Sequence, residues 1–428
     1  MLALAAIGAC GGGGPDAAGT EPGATTVRGD TIVHFAGAPR HARGGALVED
    51  LTIGLLDGPE EYVFGNVGDA SLGPGGAIHV LDRQAQVVRQ FDRAGTYVRD
   101  FGRPGPGPGE YRSASAMAVA PDGSVLIGER GRTGLIQRFS ADGDLLGAWE
   151  LQRGIEGPIV VTDAGIVHVV LPGVTMSNLR SDDLQSIDGQ PNWIEVVRGT
   201  AVDFRPATLR TTPDGTLIDT VPAPPLRDLD VYLDAGPGRL YVGLDYMPVA
   251  WWAWSPSGYL LTGESDRYAI DLRRSTGTAD QPARPWRSGD SIVSIRRDVA
   301  RVAILDAERA VLQQSLAQLL ENLRGQTWHG PTEAPTEKPA YHRVLIGRDG
   351  RIWVWLHTES EPVGHDDGRW REVATAFDIF GPDGTYIGPV DGPPGIRPTS
   401  MRGDTMIAIT LHETGVHQVT RFVVRWRE

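Results

Sequence analysis

Apolar and polar positions alternate along this chain in short runs set between glycine turns. Residues 76–102 (GAIHVLDRQAQVVRQFDRAGTYVRDFG) and 123–149 (GSVLIGERGRTGLIQRFSADGDLLGAW) are the clearest pair, and superposing Gly76 on Gly123 gives a period of 47. Each unit reads as an apolar run, a polar loop, a second run ending in Phe, a turn, and a last run ending in an aromatic. In Leu135-Ile136-Gln137-Arg138-Phe139 successive side chains leave opposite faces of a strand, which places apolar groups on one buried face. Asp-Gly and Pro-Asp-Gly supply the backbone angles that tight hairpins need. The predicted unit is a four-stranded antiparallel meander.

The same marks recur downstream. Inner-hairpin turns are expected at Gly75–Gly76, Asp122–Gly123, Asp163–Gly165, Gly236–Gly238, Asp349–Gly350 and Arg402–Asp404, each ahead of a β run (AIHVL, SVLIG, IVHVV, RLYVG, RIWVW, TMIAI). Outer-hairpin turns are expected at Asp92–Gly95, Asp142–Gly143, Asp214–Gly215, Ser257–Gly258 and Asp383–Gly384. The sixth unit lacks its outer strand, because the chain ends after RFVVRW. Thr31–Phe35 (TIVHF) is an orphan run near the other end and is expected to pair near Arg421–Trp426. That pairing would close a ring and leave no long edge exposed.

Phe101 to Glu110 (FGRPGPGPGE), then an apolar strand, Pro121-Asp122-Gly123, a β run and the turn from Phe139 to Gly143 resemble the NHL-type repeats of six-bladed propeller lipoproteins. The likeness is good over residues 62–150, weaker over 151–265 and 339–428, and lost over 266–338. It implies an all-β fold: a six-bladed β-propeller closed by an N-terminal strand, with one helical insertion, the whole occupying residues 29–428. It implies no activity, because such folds carry many unrelated tasks. Within the insertion, residues 298–324 predict a helix. Leu305, Leu312, Leu316, Leu319 and Leu323 fall on one face, with Asp298 as N-cap and Gly325 as stop. It could pack on the propeller or act as a lid over the central channel.

The start of the chain carries a different signal. Cys10 is the only cysteine, which excludes an internal disulfide and a cysteine metal site. Ile7-Gly8-Ala9-Cys10 resembles a bacterial lipobox, in which the cysteine is lipidated. No Lys or Arg precedes Cys10, so the true start is expected upstream and residues 1–10 read as part of a signal. Residues 11–28 read as a flexible tether. No later segment has 18 consecutive apolar residues, so attachment to a bilayer would be through lipid. The expected location is a bacterial cell envelope.

Composition then narrows the function. With 56 Gly and 31 Pro, turns are frequent and long helices few. The net charge of −14 argues against nucleic acid, which needs clustered positive charge. Only Lys338 among the 40 basic residues is lysine. Residues 44–82 carry Glu49, Asp50, Asp57, Glu60, Glu61, Asp69 and Asp82 with no Lys or Arg before residue 83, a solvated run or a cation-seeking face. The Pro-rich Gly102–Glu110 loop is no phosphate cradle, since its prolines remove backbone N–H groups.

Ligands usually meet a propeller on the face formed by the loops after each second strand and between blades. The candidates there are Asp82, Arg83, Glu110, Tyr111, Arg112, Glu129, Arg130, Asp245, Tyr246, His357 and His412, with Thr358 and Glu413 beside them. They could bind a sugar, a peptide or an acidic small molecule, or be ordinary solvated loop polars. Six-bladed lactonase-like propellers hold a divalent cation on Asp, Glu and Asn oxygens. Of the four Asn only Asn66 lies near a channel mouth, and His365, Asp366 and Asp367 are a weaker local set. No GxSxG, HExxH or Walker pattern is present. Trp251, Trp252 and Trp254 are expected in inter-blade packing. The reading is a monomeric envelope-anchored binding or scaffolding module for a protein, peptide or glycan, without a cofactor. The alternative is a channel-metal hydrolase or lyase.

Overall fold

The computed structural model describes residues 25–28, 31–129, 134–151, 155, 157–171, 186–187, 190–191, 207–224, 226–227, 229, 231–235, 238–273, 291–323, 326–363 and 369–428. Cys10, Arg130, His365, Asp366 and Asp367 lie outside them, as do residues 11–24 of the expected tether. Its last four residues, Thr25–Arg28, are not loose: they form a strand paired with Thr31–Phe35.

Six four-stranded antiparallel units account for most of the described chain: three are separate sheets, one is extended to six strands by Thr25–Arg28 and Thr31–Phe35, and two are joined in an eight-stranded sheet where Gly45 and Ala46 pair with Val390 and Asp391. We number them blades 1 to 6: residues 67–101, 114–151, 159–222, 250–297, 343–392, and 397–426 completed by Gly45–Ile53. The hairpins form where the turn chemistry puts them. Gly123 and Gly350 hold φ of 85° and 80°, a region that costs a residue bearing a Cβ dearly. Side-chain oxygens of Asp92 and Asp122 cap backbone N–H groups two residues on, replacing a ladder bond at the turn.

The sheets are arranged as a ring, and the core clusters prove it by their membership. Leu81 and Phe101 of blade 1 pack with Val119 and Phe139 of blade 2. Leu126 and Ile136 of blade 2 pack with Val167 and Val169 of blade 3. Val221 of blade 3 meets Trp254 and Leu260 of blade 4. Ile270 and Ile295 of blade 4 meet Val354 and Phe380 of blade 5. Trp353 and Phe377 of blade 5 meet Met406 and Phe422 of blade 6. Ile407 and Val419 of blade 6 return to Val80 and Phe91 of blade 1. A sandwich would bury one sheet against one other; here each sheet buries both faces, and the sequence of contacts closes on itself. The first strands of neighbouring blades 6, 1, 2 and 3 also touch, which places them around the axis. The fold is therefore an all-β propeller with one α-helix among the described residues.

Closure is made by a different segment from the one expected. Gly45–Ile53 pairs antiparallel with His417–Trp426, from Gly45 opposite Trp426 to Ile53 opposite Val419. Thr31–Phe35 instead extends blade 4, parallel to Ser291–Arg297. The long last strand needs a partner of its own length, and nine residues meet ten where five could not. A bulge between Glu49 and Leu51 breaks the alternation of GALVEDLTI, so the strand reads in sequence as an acidic stretch.

Blade 4 also moves. Tyr232–Ala235 and Gly238–Tyr241, on either side of one expected inner turn, pair as an accessory hairpin outside the blades, and Ser257–Gly258 is the first turn of blade 4, not its outer one. Tyr268–Arg273 and Ser291–Arg297, placed by sequence inside the insertion, are the third and fourth strands of that blade. The real insertions are residues 223–249, ahead of blade 4, and 298–342, behind it. The helix, α1, spans Asp306–Asn322 with Leu305 as N-cap, so Asp298 caps nothing. Residues 302–304 are held extended by Lys338 N–H donating to Val302 O and Ile304 N–H to Thr336 O. Leu305 is exposed, whereas Leu319 and Leu323 pack on Leu233, Val242 and Trp328 of the accessory hairpin and its third strand. No helix among the described residues is long and apolar enough to cross a membrane.

Candidate functional site

The two insertions and the loops of blade 5 line a concavity of about 570 Å³. Asp245, Tyr246 and Met247 come from the segment ahead of blade 4. Tyr341 and His342 come from the end of the second insertion. Trp355 and His357 end the second strand of blade 5, and Trp370 and Glu372 belong to a side hairpin on its next loop. They lie at the end of a second strand, in the connection after it or between blades, so the cavity opens on the irregular face.

One wall rests on Lys338, the chain's single lysine, which is wholly buried. Residues 302–304 pin its backbone, and its Nζ donates to Thr358 O (2.6 Å), Ser360 Oγ (2.8 Å) and Glu372 Oε1 (3.2 Å). Three N–H groups meet three acceptors, which is what a buried ammonium requires. The ammonium also lies 4.8 Å from the centre of the Tyr246 ring, a cation–π contact. Glu372 Oε1 is shared with His357 Nδ1, 2.7 Å away. Burial alone would raise the Glu372 pKa. The hydrogen bond shared with His357 and the charge of Lys338 outweigh it and hold the carboxyl below its ordinary value.

Beside this network His342 faces the cavity against Trp355 (ring centres 4.7 Å apart) and His357 (5.3 Å). Enclosure by the walls and the adjacent His357 lower its pKa, so it is neutral near pH 7. Tyr246 is one of two non-glycine residues with positive φ among the described residues, at 57°. Its hydroxyl donates to Glu308 Oε1 of α1 at 2.9 Å, and burial pushes its pKa up. The helix contributes no lining residue. It braces the wall through Glu308, which holds Tyr246 in a conformation that costs of order 1 kcal/mol.

The sequence-derived candidates divide sharply. Asp245, Tyr246 and His357 line the cavity together. Asp82 turns inward, where its carboxylate accepts N–H groups of Gly65, Asn66, Gln84 and Ala85 and pairs with Arg89. Burial would raise its pKa, but those four N–H groups bring it down. Arg83 donates to Ser115 O of blade 2. Glu110 takes Arg103 and the N–H of Gly107, organising the Gly-Pro loop. Tyr111 is buried and donates to Phe101 O. Arg112 and Glu129 bond each other through the Arg112 N–H. His412 caps its own turn through Thr414. Seven of the ligand candidates therefore do not join the cavity. His342, Trp355, Trp370, Glu372 and Lys338 were missed. The lone lysine and the run of aromatics around 341–357 were the available signals. Trp251 and Trp254 pack between blades as expected, bonded to Tyr341 and Thr208.

A channel cation fits poorly. On the axial strand of blade 1, burial raises the Asp69 pKa to about 6 while Ala70 N–H, Arg397 and Arg83 lower it. Two guanidinium groups beside one carboxylate repel a divalent ion, which wants several hard oxygens. Asn66 lies in the loop that Asp82 holds. Among the described residues no three His, Cys, Asp or Glu side chains gather as a metal-holding set.

No protein-family model matches the chain, and no curated protein matches it. Among solved structures it is similar to a putative exported protein from Bacteroides fragilis (10% identity, 90% of this chain and 95% of that one, TM-score 0.43). It is similar to a member of the DUF4221 family from Bacteroides vulgatus (9%, 90% and 99%, 0.44). It is also similar to a gluconolactonase from Xanthomonas campestris (13%, 89% and 100%, 0.39).

Proposed function

We propose that this chain is an exported, lipid-anchored propeller of the NHL type that binds a neutral glycan in the cavity over blades 4 to 6. The observation that supports this is the cavity itself. Its volume of about 570 Å³ suits a small ligand better than a protein surface. Aromatic side chains, Trp355, Trp370 and Tyr246, provide flat apolar contact, and Asp245, His342, His357 and Glu372 provide polar groups around them. This mixture fits a sugar ring, apolar on its faces and hydroxylated at its rim. Cys10 carries the anchor in this reading, and the monomer works at the envelope surface without a cofactor.

Titration of the intact protein with maltotriose, followed by tryptophan fluorescence and calorimetry, tests the binding. Trp355→Ala and Trp370→Ala should each weaken it about tenfold. Unchanged affinity in both variants would remove the cavity from the reading. Cys10→Ser, exported in a bacterial host, should move the protein from the membrane to the soluble fraction of the envelope. A membrane fraction that does not change would refute the anchor.

A further inference from the structure

We infer that His357 presents the lone pair of Nε2 to the cavity, so that the site selects ligands which donate a hydrogen bond and disfavours carboxylates. The inference rests on the glycan reading for the kind of ligand, but its chemistry stands on three residues, Lys338, Glu372 and His357. Glu372 Oε1 lies 2.7 Å from His357 Nδ1, and the same oxygen accepts from Lys338 at 3.2 Å. An oxygen that already takes an ammonium N–H belongs to an ionised carboxylate, which can only accept. The contact therefore requires a hydrogen on Nδ1. In the neutral ring the remaining nitrogen, Nε2, is an acceptor.

The arrangement is not free to invert. Lys338 cannot turn away, because Thr358 O and Ser360 Oγ hold its other two hydrogens and residues 302–304 pin its backbone. The Tyr246 ring covers the ammonium on another side. Lys338 and Glu372 are thus positioning residues, and His357 is the residue the ligand meets. A sugar hydroxyl can donate to Nε2 and accept from a neighbour. An acceptor-only carboxylate would set two lone pairs face to face and leave both unpaired.

Nitrogen NMR of the imidazole rings in the intact, histidine-labelled protein reads the tautomer directly. Wild type at pH 7.5 should show a protonated Nδ1 and an unprotonated Nε2 for His357. Glu372→Gln, whose amide can donate as well as accept, should give a mixture of tautomers while the circular dichroism spectrum stays unchanged. A predominant Nε2–H tautomer or an imidazolium in wild type, or no change in Glu372→Gln, overturns the assignment. Titration with maltotriose and with trigalacturonate gives the second arm. Wild type should prefer the neutral sugar by about tenfold. His357→Gln should cut that preference to about threefold or less, and a full preference kept in His357→Gln overturns the selection. Should neither sugar bind while the Nδ1–H tautomer is in place, the glycan reading falls and the ring assignment survives.

Discussion

Blades 1 and 2 and the junction of blades 4 and 5 use the same polar residue types to opposite ends. In blades 1 and 2 the described polar side chains on the irregular face mostly serve the backbone. Asp82 satisfies four N–H groups, Glu110 ties a glycine loop, and Tyr111 closes the gap to Phe101. Around blade 4 the chain adds residues 223–249 and 298–342. That extra backbone carries its own core on α1 and holds aromatic and titratable side chains apart around an open volume. A polar group is available for a ligand only where the fold does not already consume it.

The contrast can be broken at several points. The largest effect should come at the junction. Lys338→Met leaves Glu372 half-buried beside a lost cation and two bare acceptors, and should cost about 3–5 kcal/mol in denaturant unfolding. A cost under about 1 kcal/mol would mean that Lys338 does not organise the wall.

Acid should act next, and on the regular blades. His79 in blade 1 and His168 in blade 3 are buried, and burial lowers their pKa values to about 4 and about 3. His79 lies against Phe101 and His168 against the edge of Trp254, and Nδ1 of His168 has no hydrogen-bond partner among the described residues. The unfolded chain takes up these protons near pH 6.5 and the folded chain only far lower. Stability is therefore full above pH 6.5 and declines as pH falls toward 4, by on the order of 3 kcal/mol for each site. Thermal melts from pH 7.5 to 4 should show the decline, and His79→Leu should flatten it. A slope that survives His79→Leu combined with His168→Leu assigns the acid sensitivity elsewhere.

Tyr111→Phe should cost about 1–3 kcal/mol by stranding the buried Phe101 carbonyl, yet leave maltotriose binding untouched. Weakened binding in that variant would show that the regular blades do reach the ligand. The smallest effect belongs to Arg99→Ala, which removes an exposed pair with Asp142 between blades 1 and 2 and should change stability by about 0.5 kcal/mol or less.

Much of the fold was legible because hairpin chemistry is local. Gly123 and Gly143 mark their turns whatever surrounds them, so blades 1 and 2 could be read from one repeat. Blade 4 was misread because the Gly236–Gly238 turn is as good a hairpin signal as Ser257–Gly258. Only the neighbour that each strand packs on tells an accessory hairpin from a blade. Of the site, Asp245, Tyr246 and His357 were legible from the loop face alone. Asp82 and Tyr111 shared that address, but their side chains turn inward, and no spacing in the sequence announces the direction.

The amino-acid order by itself determined the repeating unit, most of the turns that delimit it, a helix within 298–324 and the acidic balance, because each depends on composition or on residues a few positions apart. Tertiary structure alone decided that Gly45–Ile53 rather than Thr31–Phe35 seals the ring, and that Lys338, Glu372 and His357 share one oxygen. Strand choice at closure is a competition between segments hundreds of residues from their partner. A buried ammonium is tolerable only where three acceptors from separate loops arrive together. Both outcomes depend on which surfaces meet, and that is set once all six sheets are in place.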